Sequence, residues 1–219
     1  MPVYSVVLSL TAVGLTAAVS NLSSEFHALG DRASSARVLR RCLAAFFLLF
    51  LLVAGVVILF YDPISVYLLG DARTQLGLLL LLPCLLLTGI ENLHKHFFYG
   101  TGQVRPPAAV ELCEQFIRTG AVLGLLAVFL PQNAERTVGL IVLGMIVCEV
   151  FSAGMLMLLR ARARARDTRP PGPPEPGLGR QIVGIAVPVG LTAVLGNLMN
   201  SANSVLIPAR LVAGGMEVS

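Results

Sequence analysis

The sequence predicts an all-α integral membrane protein, a polytopic bundle of helices. Three observations predict it. Of 219 residues, 56% are hydrophobic and 13% are charged, about half the charged share of an ordinary soluble domain. With a mean hydropathy of +0.81, too little polar sequence remains to coat a soluble core. Several stretches approach the roughly 20 apolar residues that cross a bilayer core as a helix, and runs such as LGLLLLLPCLLL show none of the period-two alternation of barrel strands.

The expected spans lie at about 2–21, 42–61, 75–93, 108–130, 137–159 and 181–209. The first has no basic stretch ahead of it, so it reads as a span and not as a signal peptide. It carries Thr16 and Ser20 at helical spacing, continued by Ser23 and Ser24. The second is an uninterrupted apolar run rich in Leu, Phe and Val. The third contains Pro83 and ends on Glu91 and Asn92. The fourth has a charged first half. The fifth holds Glu149, with Ser152 one turn on. The sixth contains Pro188 and a stripe of Asn197, Asn200, Ser201 and Ser204. Each proline removes a backbone hydrogen bond and can kink its helix, which membranes tolerate where neighbours or a wet cavity satisfy the freed groups. Small residues such as Gly120 and Gly124 allow close helix approach.

Charge sets the topology. The connection after the first span holds Arg32, Arg37, Arg40 and Arg41, and the next has only Arg73 beside Asp62 and Asp71. Lys95 and Arg105 follow the third span, Glu135 and Arg136 the fourth, and the run from Arg160 to Arg180 the fifth. Basic and base-poor connections alternate, so loops 24–41, 94–107 and 160–180 are expected in the cytoplasm. Met1 is then expected outside, with a helix missing upstream. This topology also explains the RARARAR run, and no nucleic-acid partner is expected. The Pro- and Gly-rich stretch DTRPPGPPEPGLG, 167–179, reads as a semi-rigid linker. Three parts follow: an N-terminal bundle over 1–160, a basic linker over 161–180, and over 181–219 the first helix of a second lobe.

Cys42, Cys84, Cys113 and Cys148 have no paired spacing and read as apolar packing residues. His94 and His96 lack acidic or cysteine partners at ligand spacing, so HKH reads as a solvated loop and no metal or cofactor is expected.

The informative stretch is VELCEQFIRTG in the fourth span. Glu111, Glu114, Gln115 and Arg118 stand three and four apart and share one helix face. A charge at the bilayer centre costs roughly 2.5–3.5 kcal/mol on insertion scales. Glu114 and Arg118, at i and i+4, can neutralise each other. Two readings remain: a structural ion pair with Glu111 at the interface, or a face lining an aqueous cavity that meets a polar, anionic substrate. Glu149, Asn197 and Asn200 can join such a cavity. No phosphate loop, GxSxG or HExxH is present, so translocation is favoured over chemistry. An intramembrane transferase would have only Glu91 and His94 to work with.

Three stretches carry a family resemblance: YSVVLSLTAVGLTAAVSNLSSEFHALGD at 4–31, FFYGTGQVRPPAAVELCEQFIRTG at 97–120, and IAVPVGLTAVLGNLMNSANSVLIPARL at 185–211. In order and spacing the chain resembles the MATE-like MOP flippase superfamily, within it the stage V sporulation protein B and polysaccharide-exporter branch. The resemblance implies two helical lobes around a central cavity, with this chain running from the family's second helix into its seventh. It implies a bacterial plasma-membrane flippase for a lipid-linked sugar or pyrophosphate-lipid, such as peptidoglycan precursor, working by alternating access. Arg118 would meet the pyrophosphate, and Glu111, Glu114, Gln115, Glu149, Asn197 and Asn200 would shape the site or couple Na⁺ or H⁺. The alternatives are a multidrug cation antiporter of the same superfamily and a non-transporting fragment.

Overall fold

The computed structural model describes residues 8–59, 75–129, 134–165 and 177–213. One π-helical turn, Ser9–Val13, leads into α1 (Gly14–Ala28). It is followed by α2 (Arg32–Leu59), α3 (Gln75–Gly100), α4 (Arg105–Phe129), α5 (Ala134–Ala165) and α6 (Leu178–Ala213). The described residues form an all-α bundle, one helix for each expected span. The base-poor connection 62–74, most of the Pro- and Gly-rich linker, and the side chains of Ser201 and Ser204 lie outside the described residues.

The helices overrun the expected spans on the basic side. α1 and α2 are joined by a short turn in which Gly30 takes φ +76°, a left-handed conformation that favours glycine. Asp31 then caps α2. The Ser34 amide donates to its Oδ1 at 2.9 Å and the Ser34 hydroxyl donates to its Oδ2. α3 continues through His94, Lys95 and His96, where a solvated loop was expected, and stops before Gly102 at φ +72°. His94 is buried, with Nδ1 2.8 Å from the Ile90 carbonyl. The cause is apolar patterning that persists past residue 93: Leu93 and Phe98 are both buried. α5 likewise runs on to Ala165, since Arg and Ala are strong helix formers.

α1 is the centre of one half of the bundle, packed on α2, α3 and α6. Leu15, Ala18, Val19, Leu22 and Phe26 of α1 meet Val38, Leu39 and Phe46 of α2, Leu93 of α3, and Leu178 and Ile182 of α6. α1 and α6 nearly touch: a Cβ added at Gly14 would lie 2.1 Å from the Ala186 carbonyl oxygen. In the other half, α3 packs on α5 and α5 on α4, with Phe98, Val110 and Leu156 buried together. α3 and α4 meet little directly, and both lean on α5. That leaves a groove between them with α5 as its floor.

The three basic connections lie at one end. An Arg160 Nη2 donates to the Ala36 carbonyl at 3.5 Å, and its guanidinium sits 5.1 Å from the Phe97 ring centre. Gly100, at the end of α3, abuts Ser20 and Ser23 of α1. Among the described residues, three helices are long and apolar enough to cross a membrane: Arg32–Leu59, Leu143–Ala165 and Leu178–Asn200. Leu48, Leu51, Leu52 and Leu59 of α2, and Leu191 and Met199 of α6, point outward. Such a surface suits lipid tails and not water. Cys42, Cys84 and Cys148 are buried free thiols, and Cys113 is an exposed one.

Candidate functional site

Three helices each bring an acid to the groove at nearly the same depth. Glu91 stands nine residues before the end of α3 at Gly100. Glu114 stands nine residues after the start of α4 at Arg105. At 1.5 Å per residue both are about 14 Å along their helices from the basic end of the bundle. Glu149 of α5 joins them. The three residues are 2%, 4% and 4% exposed, and one carboxylate oxygen of each lies within 4.8 Å of the others.

Two bases hold the acids. Lys95 stands one turn beyond Glu91 on α3, and its Nζ is 2.5 Å from Glu91, 3.1 Å from Glu111 and 3.6 Å from Glu114. Arg118 pairs with Glu114 one turn back on α4, and its Nη2 is 3.5 Å from Glu149 across to α5. The Ser152 hydroxyl donates to Glu91 at 2.6 Å and also lies 3.1 Å from Glu114. The Tyr99 hydroxyl reaches Glu111 at 3.5 Å. Each charge that is expensive in an apolar setting therefore faces an opposite charge or a donor, as buried ions require. Two buried atoms are left over: Glu149 Oε2 and Arg118 Nε have no hydrogen-bond partner.

Above this network is a cavity of about 640 Å³, lined by Thr88, Glu91, Asn92, Lys95, Glu111, Glu114, Gln115, Arg118 and Glu149 among others. That is the size of a small-molecule pocket, enough for a headgroup and too small for a long glycan. A smaller cavity of about 320 Å³ lies between α1, α3 and α6, lined by Thr16, Asn92, His96 and Val189 among others. Asn92 borders both. The three clustered carboxylates are near enough to ligate one ion, but each already pairs with Lys95 or Arg118.

Of the residues expected at a site, the groove brings together Arg118, Glu114, Glu111, Gln115 and Glu149. Asn197 and Asn200 are not in it. They lie on α6, which packs along α1 on the far side of α3. Lys95 and Thr88 were missed. Lys95 had been assigned to a connection because it follows the last long apolar run. The signal that finds it is Glu91 followed at i+4 by Lys95, the same acid-then-base order as Glu114 and Arg118, which is the favourable order on a helix.

No family model matches the chain, and no solved structure matches it. The chain is 28% identical over 134 residues to Stage V sporulation protein B of Bacillus subtilis (strain 168). The aligned segment covers 61% of this chain and 26% of that relative, so the match spans about a quarter of the relative's length. This is a distant relationship over part of the chain, and it agrees with the branch that the sequence motifs resemble.

Proposed function

We propose that this chain forms part of a membrane transporter of the flippase type. It carries the anionic headgroup of a lipid-linked sugar, a pyrophosphate-lipid, across a bacterial plasma membrane by alternating access. The observation that carries this reading is the charged groove between α3 and α4, its acids buried in an otherwise apolar bundle. Ionisable residues placed so deep are costly, and they mark substrate or ion pathways. The family resemblance carried by the sequence motifs supports the choice of substrate class. The basic end of the bundle faces the cytoplasm.

In the mechanism, Arg118 is the residue that meets substrate. It is one-third exposed to the groove while its partners Glu114 and Glu149 are buried. Its planar guanidinium suits a phosphate bidentately, and the buried acids orient it and return it to the wall when substrate leaves. Lys95, only 12% exposed, is tied to three carboxylates and holds α3 to α4. Gln115, exposed on α4, offers an amide to sugar hydroxyls. α1–α5 make the first lobe. α6, beyond the Pro- and Gly-rich connection, opens the second and pivots on α1 at Gly14.

The test is Arg118→Ala in the full-length protein, with Arg118→Lys beside it, reading precursor flipping in reconstituted vesicles. We expect Arg118→Ala to insert normally and lose flipping, with Arg118→Lys intermediate. Correct insertion with unimpaired flipping refutes the assignment. A second reading, a multidrug cation antiporter, is favoured by the excess of acids over bases in the groove. Under it, Arg118→Ala would leave drug resistance intact and Glu149→Gln would abolish it.

A further inference from the structure

The buried part of the groove contains three acids, Glu91, Glu114 and Glu149, and two bases, Lys95 and Arg118. Glu111 sits at the rim, its side chain 45% exposed, where Lys95 and the Tyr99 hydroxyl also reach it. The buried set alone therefore carries one negative charge more than its bases offset. The oxygens show the same shortfall. One oxygen of Glu91 lies within 4.8 Å of one on Glu149 and one on Glu114, yet ionised carboxylates only accept hydrogen bonds. Ser152 has one proton and two carboxylates within its range. Glu149 Oε2, buried in a residue that lines the cavity, has no donor at all.

We infer that Glu91 and Glu149 share one proton, and that this groove is a proton-exchange site which governs whether Arg118 is free to take an anion. The inference deepens the transport reading of the same groove. One proton makes the buried set neutral and gives Glu149 a hydrogen to donate. Release sends the proton from the Glu149 carboxyl to water in the cavity and leaves a carboxylate. That carboxylate draws in Arg118, now 3.5 Å away, in competition with substrate. Anion binding and proton uptake therefore go together.

The groups facing Glu149 agree. Glu91, Thr88 and Cys84 face it from α3 with Lys95 beyond Glu91, Glu114 and Arg118 from α4 with Glu111 beyond, and Cys148 is its neighbour on α5. Lys95 and Arg118 oppose a metal cation at this spot, since both would have to be displaced from the ligating oxygens. A proton adds no such conflict. Two carboxyls that close cannot both ionise freely, so sharing a single proton is the ordinary outcome.

The experiment is infrared difference spectroscopy of the full chain in lipid, following the carbonyl stretch of protonated carboxylic acids across a pH series. We expect one such band, equivalent to one carboxyl, to persist at neutral pH. It should be lost in Glu149→Gln and lost or shifted in Glu91→Gln, while Glu111→Gln leaves it in place. Its absence from folded protein at neutral pH overturns the inference. So does its survival in both variants, or its removal by Na⁺ at fixed pH. Binding of inorganic pyrophosphate gives the second arm. After allowance for pyrophosphate's own protonation, we expect its affinity to fall about tenfold per pH unit above the titration of the band, in step with one proton taken up, and this slope to be lost in Glu149→Gln. Pyrophosphate affinity that ignores the band's titration overturns the coupling. No pyrophosphate binding in a protein that shows the band removes the substrate reading and leaves the proton where we put it.

Discussion

Lys95→Ala tests the architecture of the groove most directly. The Lys95 ammonium lies within salt-bridge distance of Glu91, Glu111 and Glu114, and its side chain is only 12% exposed. Its removal leaves Glu91 with Ser152 as its neutral donor and Glu114 with Arg118 alone. Breaking a buried ion pair by deleting one partner costs about 3–5 kcal/mol, most of it the penalty on the stranded charge. For a chain of this size each kcal/mol shifts Tm by about 2–4 °C, so the variant should melt roughly 6–20 °C lower. Thermal unfolding in detergent, followed by circular dichroism, reads this. Two controls isolate the cause. Lys95→Met with Glu91→Gln removes the ion pair from both sides and should recover much of the loss, because replacing both partners is far cheaper than removing one. Acidification, which protonates the stranded carboxyls, should narrow the gap between Lys95→Ala and the parent. A Lys95→Ala protein as stable as the parent at neutral pH would refute the reasoning, as would a double variant no better than the single.

Two further predictions concern the helix connections. The Ser34 hydroxyl and amide, with Arg37 nearby, hold the Asp31 carboxyl below the usual carboxylate range. Its contribution is therefore present above the unfolded pKa and disappears as pH falls through the lower folded value. Asp31→Ala should cost about 0.5–2 kcal/mol at neutral pH through loss of the α2 cap, seen as faster proteolysis at the 29–31 turn, with the difference vanishing in strong acid. At the α1–α6 crossing, Gly14→Ala forces a Cβ to 2.1 Å from the Ala186 carbonyl oxygen, whereas at Gly190 an added Cβ meets its nearest atom at an ordinary 3.6 Å. Gly14→Ala should destabilise by about 1–3 kcal/mol and reduce disulfide crosslinking between Thr16→Cys and Val189→Cys, while Gly190→Ala should change little. Equal effects at both glycines would contradict the close approach.

The helices were legible in the sequence because length and apolarity in a membrane chain leave few alternatives. All six spans correspond to helices, and the charged face of the fourth span pointed to the residues at the centre of the groove. What could not be read was where the helices stop. Hydropathy reports the part of a helix inside hydrocarbon, and α3 and α5 continue past it. Lys95 was placed outside the membrane for that reason, although the groove depends on it. Nor does a polar stripe along one helix say which neighbour it meets. Asn197 and Asn200 have helical spacing much like that of Glu111, Glu114 and Arg118. They are nonetheless far from the groove, because α6 docks on α1.

The way the cluster is divided among helices bears on how the protein is made. α3 carries its own acid–base pair in Glu91 and Lys95, and α4 carries its own in Glu114 and Arg118. Each can enter the bilayer with its charges already matched within a turn. α5 brings Glu149 with no base on its membrane-embedded stretch, the nearest being Arg160 at its basic end. Chains are synthesised from the N-terminus, so α3 and α4 are in place before α5 emerges, and Arg118 is waiting for a buried acid that arrives with no base of its own. The order of helices along the gene is thus also an assembly order, and a permuted chain that delivered α5 first would present the insertion machinery with its costliest helix before its partner existed.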